Sequence, residues 1–171
     1  MSSGTLPQFV DPFRLADAQG RLTGVLPAGR CERIREFSLG SIRDVDVDLS
    51  FSRDRDKLAR IEGHVSTSIT VACERCLKPL ELALAADVDL VAIAPGQTVP
   101  ESAGEVDTVE VEESRLLLAP MVEDELLLAL PPFPTHENCD MVDYERGPAA
   151  QEPAEKKANP FAALAGLKRK D

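Results

Sequence analysis

Between Val45 and Leu90 three runs of alternating apolar and polar residues follow one another. In the first, Val45, Val47, Leu49 and Phe51 alternate with Asp46, Asp48 and Ser50. In the second, Ile61, Gly63, Val65, Thr67, Ile69 and Val71 alternate with Glu62, His64, Ser66, Ser68 and Thr70. In the third, Leu80, Leu82, Leu84, Ala86, Val88 and Leu90 alternate with residues that include Glu81, Asp87 and Asp89. A strand sends successive side chains to opposite faces, so this period places one face in a core and the other in water. The connections are short, and Ser52–Asp56 is polar and turn-like. Consecutive strands with short connections and one apolar face predict an antiparallel β-meander, open or barrel-like.

The flanks add helices. Asp11 can cap a short helix whose first position is Pro12, where a missing N–H costs nothing. Gly20, Gly24, Pro27 and Gly29 divide the next stretch into turns and short extended pieces. Pro95, Gly96, Pro100 and Gly104 mark a long loop, and residues 106–111 (VDTVEV) suit one more short strand. Ser114–Leu130 reads as the main helix, which Pro120 either kinks or restarts and Pro131-Pro132 ends. The fold class expected is therefore α+β: a meander packed by one main helix, forming a single domain over residues 1–145. Residues 146–158 (RGPAAQEPAEKKA) have no bulky apolar side chain and read as a disordered linker. Residues 159–171 read as a short C-terminal helix with Asn159 as cap and Pro160 next, too short to stand alone in water.

Charge is unevenly spread over the 171 residues, whose formal net charge is −11. Residues 1–80 carry 12 bases and 11 acids, residues 81–145 carry 16 acids and only Arg115 as a base, and residues 146–171 carry six bases and three acids. The middle segment repels an anionic partner and attracts a basic one, unless it is simply a solvated face. The acids Glu112, Glu113, Glu123, Asp124 and Glu125 read as such a face rather than as acid–base catalysts. An acidic chain with one Tyr and no Trp is a poor candidate for broad nucleic-acid binding, DNA included. No apolar run approaches the ~20 residues of a membrane span, and the first residues lack the pattern of a signal peptide. The expected location is the cytoplasm, where clustered Cys more often means metal than disulfide.

Cys73 and Cys76 form a C-x-x-C in the connection between the two longest strands, and His136 and Cys139 form an H-x-x-C just after the main helix. Thiolates and a neutral imidazole are the donor set of a closed, structural zinc site. One structural Zn2+ bound by Cys73, Cys76, His136 and Cys139 would pin the hairpin tip to the end of the helix. Two other readings stay open. The C-x-x-C is a thiol–disulfide pair, although such pairs sit at a helix N-terminus in a βαβ setting, or these are ordinary hairpin and surface residues. Cys31 falls outside both pairs and reads as a small buried apolar residue. No Ser/His/Asp set or Gly-rich phosphate loop is present.

The order CERCLKPLELAL, MVEDELLLALPPFPTHENC and NPFAALAGLKRK resembles the YceD family, named for large ribosomal RNA subunit accumulation, from about Val45 to the C-terminus. The residues carrying the resemblance are Cys73, Cys76, Glu123, Asp124, Glu125, Pro131, His136, Cys139, Asn159, Pro160, Phe161 and Leu164. The resemblance implies a cytoplasmic, non-enzymatic ribosome-biogenesis factor that supports synthesis, processing or stability of large-subunit (23S) rRNA. Its partner would be a large-subunit precursor, through rRNA or a ribosomal protein. In that role Asn159, Pro160, Phe161, Leu164 and Leu167 would dock on the partner, and Lys168, Arg169 and Lys170 would touch phosphates. The alternatives are an acidic chaperone for a basic ribosomal protein or a zinc- or thiol-dependent enzyme.

Overall fold

Alternation becomes structure with little change of register. The computed structural model describes residues 4–40, 42–100 and 106–141. In chain order these form β1 (Phe9–Val10), α1 (Pro12–Asp17), β2 (Arg21–Leu26), α2 (Glu32–Glu36), β3 (Val45–Arg53), β4 (Ala59–Ala72), β5 (Pro79–Ile93), β6 (Asp107–Glu110), β7 (Leu116–Leu117) and α3 (Leu118–Leu128). The main sheet runs β2-β3-β4-β5-β6 and is open among the described residues, and β1 pairs with β7 separately. Pairing from β2 to β5 is antiparallel, with Val47 opposite Val65 and Val65 opposite Ala86. The expected meander is present and gains β2 at one edge.

The inward face carries Val45, Val47, Leu49, Phe51, Ile61, Val65, Ile69, Val71, Leu84, Val88 and Leu90. Leu118, Met121, Val122 and Leu126 of α3 and Ile34 of α2 complete the same core. Gly63 lies opposite Leu49, where an added Cβ would overlap the Asp48 carbonyl oxygen and crowd the Leu49 Cα. Its place in the inward pattern therefore serves close backbone approach rather than packing. The outward face carries polar and small side chains. There Asp48, His64 and Asp87 share one cross-strand row, with His64 Nδ1 3.0 Å from Asp87 Oδ1.

Local signals explain the helix ends. Asp11 Oδ1 accepts hydrogen bonds from the Phe13 and Arg14 amides at 3.1 Å, with Pro12 at the first helical position, as the sequence predicts. Pro120 lies in the first turn of α3, where amide donors have no helical partner, so it begins the helix instead of kinking it.

Three expectations need correction. The Gly/Pro-punctuated stretch after Gly20 contains a six-residue strand, β2, because Leu22, Gly24 and Leu26 pair with the first alternating run. The expected VDTVEV strand is present as β6, and it runs parallel to β5, with Leu90 opposite Asp107, so the chain reaches it by a crossover. The main helix starts at Leu118 rather than Ser114, because residues 112–117 form a 3-10 turn and β7. Glu123 is not part of a solvated face. It is 4% exposed, accepts the Ile34 amide at 3.1 Å and lies 3.5 Å from Arg33 Nε. Arg33 also donates to Asp124 at 2.7 Å and to the Pro120 carbonyl at 2.8 Å. Glu123 therefore fastens α2 to α3. A buried carboxylate is tolerated when it is paired in this way.

The linker at 146–158 and the segment 159–171, with Asn159, Pro160, Phe161, Leu164, Leu167, Lys168, Arg169 and Lys170, lie outside the described residues.

Candidate functional site

β4 pairs with β3 as far as Ser66 and then with residues 39–43, through the Ile42–Ile69 bridge and the Leu39 amide on the Thr70 carbonyl, so only the last residues of β4 run on with β5 as a two-stranded ribbon. The ribbon is closed by residues 73–78. The Cys73 amide donates to the Lys78 carbonyl at 2.9 Å, and the Leu77 amide donates to the Cys73 carbonyl at 2.8 Å. Leu77 has φ +58°, the left-handed conformation that lets the chain turn back. After α3, residues 131–141 return to this tip, where the Glu74 amide donates to the Pro134 carbonyl at 2.8 Å. Arg75 Nη1 donates to the Cys139 carbonyl at 3.1 Å.

That route brings together Cys73, Cys76, His136 and Cys139, the four residues named from spacing alone, with ligand atoms all within 4.8 Å of one another. All four cysteines of the chain are free thiols. Cys73 Sγ lies 3.7 Å from Cys139 Sγ, and Cys76 Sγ lies 3.4 Å from His136 Nδ1. Around a tetrahedral zinc with Zn–S of ~2.3 Å and Zn–N of ~2.0 Å, neighbouring donor atoms lie ~3.5–3.8 Å apart. The two short separations match the edges of such a tetrahedron. The other nitrogen of His136, Nε2, lies 3.1 Å from the Pro79 carbonyl oxygen. An N–H there fixes the tautomer that leaves the Nδ1 lone pair turned towards the sulfurs, the usual backing of a metal-bound imidazole.

The electrostatics are uneven across the cluster. Burial opposes ionisation of Cys73, but amide donors at Cys76, His136 and Arg75 outweigh it and bring the thiol down to about 5. Burial, and then the neighbouring sulfurs of Cys73 and Cys76, push Cys139 up to about 11. One thiolate is thus ready-made, and close sulfurs resist sharing further negative charge unless a cation joins them. Cys31 lies apart, fully buried at the start of α2. Burial, with Glu123 and Asp44 adding, raises it to about 11. It behaves as the small apolar residue the sequence predicts.

The spacing reading did not find Arg75, Pro79 and Pro134, which hold the two halves of the cluster together. Their contributions are a guanidinium–carbonyl bond and two main-chain carbonyls. Only the Arg75 side chain has any trace in the sequence.

The YceD family model, described as large ribosomal RNA subunit accumulation protein YceD, matches residues 61–168. A large ribosomal RNA subunit accumulation protein YceD of Haemophilus influenzae is 36% identical over 177 aligned positions, covering 99% of this chain and 100% of the relative. No solved structure matches the chain.

Proposed function

The chain belongs to the YceD family of large ribosomal RNA subunit accumulation proteins, and from that premise we propose that it is a ribosome-biogenesis factor that acts by holding a large-subunit precursor rather than by converting it. The observation that carries the non-catalytic part is the cluster itself. Its four donors are all supplied by the protein and suit a closed structural centre, which has no open position for a reacting water. Cys73, Cys76, His136 and Cys139 would hold a zinc ion, which would cross-link the ribbon tip to residues 131–141, a role the nearby apolar side chains do not fill. Leu77, Phe133 and Met141 are 62%, 75% and 77% exposed.

Support for a protein partner over naked RNA comes from the sheet. Its outward face bears Asp46, Asp48, Glu62, Glu81, Asp87 and Asp89, which outnumber their partners Arg21, Arg43, Arg60 and His64, and among the described residues it offers no Phe, Tyr or Trp on which a base could stack. Phosphate contact is assigned instead to Lys168, Arg169 and Lys170, with Asn159, Pro160, Phe161, Leu164 and Leu167 as the docking residues beside them. Among the described residues no helix is long and apolar enough to cross a membrane, and the reading places the protein with its precursor in the cytoplasm. The domain is taken as residues 1–145, followed by a linker at 146–158.

The test has two arms. Protein purified without a histidine tag should carry one zinc per chain, and chelation should expose three thiols while Cys31 stays protected. Cells producing a chain that lacks residues 159–171 should accumulate less mature large-subunit rRNA. Full rRNA levels with that shortened chain would remove the docking role, and turnover of rRNA by the purified protein would remove the non-catalytic reading.

A further inference from the structure

On the opposite side of β5 from β4 lies a groove of about 410 Å³ between β6 and α3. Its apolar lining is Leu90, Val106, Val109, Met121 and Leu128, and its rim is Asp107, Asp124 and Glu125. Its volume falls at the lower end of clefts that take small ligands or a few side chains, ~300–1,000 Å³. Leu128 is 82% exposed, although it occupies the last turn of a helix whose neighbour Leu126 is fully buried. β6 is the sheet's edge among the described residues and is four residues long.

Two of the three acids on this groove lack a cationic partner among the described residues. Asp124 is held by Arg33, but neither Asp107 nor Glu125 meets a cationic side chain among the described residues. Burial, then Asp107 and Asp124, raises the Glu125 pKa, as expected for a carboxylate close to like charges without a compensating cation.

We propose that this groove is a docking site for an extended, lysine- or arginine-rich protein segment with apolar side chains between its cations. Such a segment adds to the free edge of β6, sets an apolar side chain against Met121 and Leu128, and lays cations over Asp107 and Glu125. Main-chain pairing at a sheet edge gives affinity, and alternate side chains give specificity. Charge complementarity selects this occupant. A second copy of the chain would bring Asp107 and Glu110 against their own counterparts, since acidic edge strands discourage self-pairing. An RNA strand would bring phosphates against the same carboxylates. The site rests on the holding role above only for the origin of the segment, a basic protein of the precursor.

The experiment measures binding of a fluorescent peptide of alternating lysine and valine to the full chain by anisotropy, with an alternating glutamate and valine peptide and a single-stranded RNA of equal length as controls. The lysine peptide should bind, more weakly as salt rises, and the two controls should not. The double variant Asp107→Asn, Glu125→Gln and the single variant Leu128→Lys change exposed or half-buried side chains and should each weaken binding about tenfold. Zinc content should stay the same. Absence of lysine-peptide binding, or unchanged affinity in both variants, overturns the proposal. Preferential binding of RNA also overturns it, as does a dimer that Leu128→Lys abolishes. Peptide binding that responds to the variants while rRNA levels stay normal in cells producing them keeps the groove and removes only the ribosomal origin of its partner.

Discussion

The sheet core and the ribbon tip are built from one continuous pair of strands, yet different forces hold them. Around Ile61 and Val65 the inward side chains of Leu49, Phe51, Val88 and Leu90 are apolar and buried, and α3 closes the layer. Past Ser66 β3 gives way to residues 39–43, and past Thr70 the described residues show no third strand beside the pair. At the tip Leu77, Phe133 and Met141 face solvent, the buried groups are the thiols of Cys73 and Cys76, and His136 and Cys139 are half-buried. Apolar burial contributes ~25 cal/mol per Å2 removed from water, so a region that buries little apolar surface needs another source of cohesion. A metal held by Cys73, Cys76, His136 and Cys139 would provide it at a few atoms. Damage to the core should therefore be felt everywhere, and damage to the tip only locally.

The strongest way to sharpen that contrast is Leu126→Ala. Leu126 is fully buried under α3, so truncation should cost about 2–5 kcal/mol in denaturant unfolding and lower the signals of sheet and helix together. A loss well below 1 kcal/mol would mean that α3 is not the lid of the core. Next comes Glu123→Ala, which leaves the buried Ile34 amide without its acceptor and Arg33 with one carboxylate fewer. A loss of about 1–3 kcal/mol is expected, and stability within error of the parent would show that α2 does not depend on this contact.

Cys73→Ser should remove the zinc while costing the core about 1 kcal/mol or less. Hydrogen exchange would rise at residues 72–79 and 131–141 and stay slow in β3 and in β4 up to Ser66. Global unfolding of this variant would contradict the division into two regions. Acid gives the same lesion without mutation. In the metal-free chain the folded Cys73 thiol titrates at about 5, against an ordinary value of 9.0. Between those values the unfolded chain binds more protons, so this contribution is fully present above pH ~9, shrinks as pH drops, and is gone below pH ~5. Zinc should leave over the acid end of that window, because protons compete for the thiolates. Zinc retained well below pH 5 would argue against thiolate ligation. The smallest effect is expected from Arg60→Ala on the outward face, where Arg60 pairs with Asp89 at 2.5 Å in contact with solvent. A change of about 1 kcal/mol or less is expected, falling further with salt.

Much of this was legible from residue order. Period-two runs identified β3, β4 and β5 and their inward sets, because a strand's geometry imposes alternation wherever only one face is buried. The Asp11 cap was legible because capping is local chemistry within three residues. Cys73, Cys76, His136 and Cys139 were legible as a donor set because zinc ligands are few in kind and closely spaced within each half. Whether the halves meet was not legible, since some 60 residues separate them and no local rule spans that distance.

What the sequence by itself determined is therefore periodic or local: the strands, the caps, the pairwise spacing of the thiols, and the acidic bias after residue 80. Tertiary structure alone decided that β6 runs parallel to β5, that Glu123 turns inward to the Ile34 amide, and that the Pro79 carbonyl faces the His136 ring. Each of these depends on a main-chain group or a partner remote in the chain. A peptide N–H or carbonyl is the same at every position, so its partner is known only once the chain has folded.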